Sequence, residues 1–275
     1  MSAFLSRLAV TLIGLPIVLG AAWLGGWPML ALIAVATLVA LHELFRATRP
    51  LRPLTLAGFA GGLGALLALQ LGGTAWLPLG LLVALVAGFV MAVLADTSQS
   101  NTAAVAVTIF GVVWIAMGLG YLLLIREYAF NPGATDPDKG RLAVFTVLLA
   151  VFAIDTAAYL VGRVAGKRKL APRVSPGKTW EGFIGGAVAG IFVTWIALYR
   201  TGYVEGWRSI VLGAAIVLAA TAGDLLESMV KRDVGVKDTG KLLAGHGGVL
   251  DRVDSLLLAA PVAYFVLLAL DGIET

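Results

Sequence analysis

From position 53 to position 95 the chain carries no charged side chain. An apolar run of that length has room for two membrane helices at about 20 residues each. Further uncharged runs lie at 8–42, 97–125, 182–199 and 255–270, and two more are broken late by a single acid, Asp155 and Asp224. Only 13% of residues are charged and 60% are hydrophobic, where an ordinary soluble domain is roughly a quarter charged. The expected fold is therefore all-α: a polytopic integral membrane protein of about nine transmembrane helices with a cytoplasm-facing polar cavity. The helices are expected near 8–24, 28–47, 54–71, 76–95, 102–125, 142–164, 182–200, 208–230 and 253–270.

Trp27-Pro28, the prolines at 50 and 53, Gly72-Gly73 and Asn131-Pro132-Gly133 punctuate these segments as loops. A secretory signal would be one apolar segment ahead of a polar domain, whereas 8–24 runs straight into further spans, so it reads as the first helix. Two regions are expected, 1–140 with about five spans and 141–275 as a catalytic transmembrane region. The absence of cysteine excludes a disulfide framework, a thiolate metal site and a cysteine nucleophile. With a cytoplasmic N-terminus, the inner segments hold Arg7, three arginines at 46–52, six bases at 163–178 and five at 231–252. That is fifteen of the twenty Lys and Arg. The positive-inside bias turns both charged loops toward the cytoplasm.

Chemistry gathers in four places. Asp155, Tyr159 and Arg163 lie four apart, on one face of a membrane helix. An intramembrane acid marks a functional cavity or a structural ion pair with Arg163 or another base. Next, Lys167-Arg168-Lys169 reads as ordinary inner-face charge or a patch for anionic lipid head groups. The loop Ser175-Pro176-Gly177-Lys178-Thr179-Trp180-Glu181-Gly182 instead combines hydroxyls, glycine-exposed amides and a lysine suited to phosphate oxygens. It lacks the upstream glycine and the preceding strand of a P-loop. Third, Asp224 and Glu227 are three apart and Glu227 and Lys231 four apart, so one side of a helix carries two acids and a base at the membrane edge. Two carboxylates on one face suit a hard cation such as Mg²⁺, although a Glu227–Lys231 pair would also close a helix. Fourth, Asp251 and Asp254 are again three apart, after His246-Gly247-Gly248, where acids of a first helical turn serve either a metal or the helix dipole. His42 beside Glu43 reads as an interfacial pair at a helix end.

The run from Ser228 to Asp254 resembles the signature of the phosphatidate cytidylyltransferases, or CDP-diacylglycerol synthases. It reads Ser-x-Val-Lys-Arg, Lys237-Asp238-x-Gly240, then His246-Gly-Gly-Val-x-Asp251-Arg252-Val-Asp254. Ala244 departs, standing where that pattern has Pro or Gly. The Asp155-x-x-Ala158-Tyr159 helix and the Ser175 to Gly182 loop are similar too, so the likeness covers about 150–260. The first half adds only a compatible pattern of spans.

The resemblance implies CTP and phosphatidic acid as substrates, CDP-diacylglycerol and pyrophosphate as products, and Mg²⁺. It also implies a second, monovalent cation such as K⁺ and a homodimer, in the inner membrane if the source is bacterial, with no nucleic acid partner. On this reading Asp224, Asp251 and Asp254 hold the metal, with Glu227 as a fourth ligand or an acid behind them. Lys178 and Lys231 join these acids as the catalytic set. Ser175, Thr179, Glu181, Arg232, Lys237, Asp238, His246, Gly247, Gly248 and Arg252 line the substrate phosphates, while Asp155 and Tyr159 complete the polar cavity. A CTP-dependent polyprenol or dolichol kinase and an ion-coupled transporter are the alternatives. Against a transporter stand the concentration of charge in two loops and the lack of a repeated half with broken helices.

Overall fold

A computed structural model of the chain describes residues 3–94, 101–127, 137–240 and 247–271. Helices dominate it: α1 (Ala3–Leu24), α2 (Gly26–Ala47), α3 (Thr55–Gly72), α4 (Leu77–Leu94), α5 (Asn101–Gly111), α6 (Gly118–Arg126), α7 (Pro137–Ala165), α8 (Trp180–Leu198), α9 (Trp207–Asp233) and α10 (Leu250–Asp271). Among the described residues, seven helical stretches are long and apolar enough to cross a bilayer. The chain is a polytopic helical membrane protein.

The difference from nine expected spans has two sources. α1 runs 22 residues, Ala3–Leu24, but only its stretch Leu12–Leu24 is described with its side chains, and that stretch is apolar. The stretch Thr55–Met91 is apolar throughout, but it folds back on itself. A Cβ on Gly61 would run into Ala84, and one on Gly80 into Ala65, which is the register of an antiparallel helix pair. The reversal takes one 3₁₀ turn, Gly73–Trp76, entered through Gly73 at φ 60°, a conformation that costs glycine least. Between α5 and α6 the helix widens to π turns at Val112–Met117, turning Val112, Trp114, Ile115 and Ala116 into the interior.

Compactness divides the chain into residues 1–124 with 234–253, and 125–233 with 254–275. The described residues 234–240 and 247–253 thus fall in the first unit. In the second unit, Gly182, Gly186 and Gly190 recur every four residues along α8. Small residues at that spacing let helix backbones meet closely. A Cβ at 182 would stand 2.7 Å from the Ala158 carbonyl oxygen, and one at 186 would stand 2.9 Å from that of Ile154. α7 therefore lies directly against α8. α9 approaches α10 the same way, since a Cβ on Gly223 would stand 2.5 Å from the Asp254 carbonyl oxygen.

The segment expected as a phosphate loop is instead a β-hairpin. β1 (Lys169–Ala171) pairs antiparallel with β2 (Ser175–Thr179), and Arg232 of α9 donates from Nε to the Val174 carbonyl, 3.2 Å away. Ser-Pro-Gly alone reads as a turn. What makes it a strand is β1, whose Ala171 pairs with Ser175 and whose Lys169 pairs with Thr179.

Candidate active site

The close meeting of α9 and α10 at Gly223 has a direct chemical result. Asp224 follows Gly223 and Asp254 carries the carbonyl it faces, so their carboxylates are brought to the same place, with Glu227 one turn along α9. Asp224, Glu227 and Asp254 each offer an oxygen within 4.8 Å of the others. Three carboxylates so close repel one another, and the cost grows at the edge of an apolar bundle. Two ammonium groups offset it. Lys178 at the end of β2 lies 2.6 Å from Asp224 Oδ2, and Lys231 lies 2.5 Å from Glu227 Oε2. The Glu227 side chain is only 1% exposed, so its pairing with Lys231 is a buried one. Hard oxygen donors at this spacing fit Mg²⁺.

Asp155 reaches the same unit from α7. Its Oδ1 accepts a hydrogen bond from Ser255 Oγ, 3.3 Å away, one residue beyond Asp254. Tyr159 and Arg163, expected on its helix face, bond to each other instead, with Arg163 Nη1 donating to the Tyr159 hydroxyl at 3.1 Å. In the hairpin, Thr179 is buried and its hydroxyl caps α8, accepting from Gly182 N at 3.1 Å. Glu181 accepts from the backbone amides of Lys167, 3.0 Å, and Arg168, 3.2 Å. It pins the turn ahead of β1. Ser175 sits half-buried on β2, opposite Ala171. Arg232 is exposed and tied to the hairpin.

The remaining motif residues belong to the other unit. Asp251, at the start of α10, accepts from Gly248 N at 2.7 Å and from Thr239 N at 3.3 Å. Those amides make it the anchor of the turn ahead of the helix. The two glycines of His-Gly-Gly have separate physical reasons: Gly247 has φ 81°, and Gly248 lies where a Cβ would overlap the Glu43 carboxylate. Lys237, Asp238 and Arg252 are exposed, while the expectation for His246 falls outside the described residues.

Sequence reasoning missed three residues of these arrangements. Gly223 was unremarkable among 34 glycines. Ser255 was hidden beside Asp254. Glu43, read as an interfacial acid, is buried at 4% exposure and accepts from Leu250 N at 2.8 Å. An acid directly after the uncharged run 8–42 was its only sequence signal.

The model of the Cytidylyltransferase family matches residues 5–270. The chain belongs to that family. Three relatives place it more closely. The phosphatidate cytidylyltransferase of Mycobacterium bovis is 36% identical over 262 residues, covering 86% of this chain and 79% of that one. That of Mycobacterium tuberculosis is also 36% identical over 262 residues, covering 86% and 74%. The Haemophilus influenzae protein of the same name is 47% identical over 136 residues, 47% of each chain. The match reaches from α1 to the last turn of α10, so in this cytidylyltransferase the α1–α6 helices belong to the family as much as the carboxylate cluster does.

Proposed function

We propose that this cytidylyltransferase transfers CMP from CTP to phosphatidic acid, giving CDP-diacylglycerol and pyrophosphate. The observation that carries the reading is the trio Asp224, Glu227 and Asp254 flanked by Lys178 and Lys231. The relatives' shared name supports phosphatidate as the acceptor.

The second pKa of a phosphate monoester is about 6, so the lipid phosphate is largely ionised at neutral pH and needs no strong base. Its oxygen forms a bond to the α-phosphorus of CTP while the bond from that phosphorus to the bridging oxygen breaks and pyrophosphate carries the electron pair away. What the chain must supply is cancellation of charge where two anions meet. Asp224, Glu227 and Asp254, with Asp251 as a further candidate, would hold Mg²⁺, which when bound neutralises phosphate oxygens as a Lewis acid. Lys178 and Lys231, each paired to one of those acids, would supply positive charge to the triphosphate and lipid phosphate. Ser175, Arg232, Lys237 and His246 add donors. Asp155, oriented by Ser255, completes the polar wall while the acyl chains stay in lipid. The excess of Lys and Arg on the segments bearing these residues supports a cytoplasm-facing site. A second, monovalent cation such as K⁺ and a homodimer belong to the same proposal.

The test is purified protein with phosphatidic acid, CTP labelled in the cytidine, and Mg²⁺. Label in a lipid with the mass of CDP-diacylglycerol is the expected result. Phosphorylation of a polyprenol with no cytidine in the lipid would make the chain a lipid kinase, and ion transport in liposomes without CTP consumption would make it a transporter.

A further inference from the structure

We propose that Glu43 of α2 is a positioning residue whose buried carboxylate holds the glycine-rich turn ahead of α10, and so the direction of Asp251. The proposal deepens, and rests on, the cytidylyl-transfer reading. Glu43 lies among Leu41, Leu44 and Phe45, all buried, where an ionised carboxylate carries a desolvation cost of several kcal/mol. A side chain kept there at that cost needs something to hold. Its Oε2 accepts from Leu250 N at 2.8 Å, the first residue of α10. The same carboxylate fills the space where a Cβ of Gly240, or of Gly248, would stand. Two glycines from separate motif segments are thus explained by one acid on a distant helix. Gly248 then passes the constraint on, because its N–H donates to Asp251 Oδ2 at 2.7 Å. The order is Glu43, backbone of the turn, Asp251.

Hydrogen exchange across 239–251 and steady-state kinetics, both on the purified full chain, test this with Glu43→Gln, Glu43→Ala and Gly248→Ala. Glu43→Gln keeps a carbonyl acceptor for Leu250 N, so exchange and kcat stay within about threefold of wild type, the scale of one modest hydrogen-bond change. Glu43→Ala speeds exchange over 247–251 and lowers kcat by about tenfold or more, as small misplacements of reacting groups do, with the KM for phosphatidic acid little changed. Gly248→Ala reproduces the loss, and the double variant is no worse than either single one because both break the same contact. Wild-type exchange over 247–251 in Glu43→Ala would overturn the proposal, as would multiplicative losses in the double variant. Should Glu43→Ala fail to fold, Gly248→Ala decides it alone: faster exchange over 247–251 with a lowered kcat supports the proposal, and wild-type exchange there overturns it. Should the wild type make no CDP-diacylglycerol, the functional reading fails while the exchange result still decides the role of Glu43.

Discussion

Lys231 shows how much one side chain does in this site. Its ammonium lies 2.5 Å from Glu227, whose side chain is 1% exposed, so removing it takes a close positive charge away from a buried acid. Lys231→Met should cost about 3 kcal/mol of stability, the scale for breaking a buried pair from one side, read as a fall in thermal midpoint in detergent. An unchanged midpoint would mean that Glu227 is neutral or held by other groups. This pair was legible in advance because four residues along a helix is a fixed geometric relation. The Lys178–Asp224 pair was not, since it joins residues from different elements and depends on where the hairpin docks. Glu43 was harder still. Sequence shows an acid near a span end, and only the folded chain shows glycines packed against it.

At the scale of elements, glycine sets how closely helices meet and therefore where carboxylates fall. Gly223 is the clearest case. A methyl there would stand 2.5 Å from the Asp254 carbonyl oxygen, and overpacking of that kind costs about 1–3 kcal/mol and moves the backbone. Gly223→Ala should therefore separate Asp224 from Asp254 and lower CDP-diacylglycerol formation by about tenfold, with a raised Mg²⁺ requirement, whereas Gly177→Ala, which meets open space, should not change stability. Titrating Mg²⁺ against turnover checks it. Helix positions were readable from uncharged runs, and the ends of α2, α3 and α8 fall within a few residues of expectation. α7 starts earlier, at Pro137, because proline suits a first helical turn even when a charged residue follows. The hairpin at 169–179 escaped, since its residues carry no alternating pattern and its pairing is specified by a partner strand.

For the whole molecule, the orientation argued from Lys and Arg has a direct check that the lack of cysteine makes clean. Lys169→Cys, an exposed hairpin position, should react with a membrane-impermeant maleimide in inverted vesicles and not in intact cells; the reverse would turn the site to the other face. The membrane class was legible from composition alone, while the grouping of 234–253 with the N-terminal helices was not, because hydropathy orders spans along the chain without saying which pack together. The central claim is that the Asp224, Glu227 and Asp254 trio is the metal-bearing part of a cytidylyl-transfer site. It is tested most directly by measuring CDP-diacylglycerol formed from CTP and phosphatidic acid by chelator-treated enzyme as Mg²⁺ is added back, for wild type and for Asp224→Asn. Wild type should regain turnover with added Mg²⁺ while Asp224→Asn, still folded, stays at least about a hundredfold lower, the scale of losing a group that stabilises charge in the transition state. Near-normal turnover by Asp224→Asn, or full wild-type activity in the presence of chelator, would contradict it.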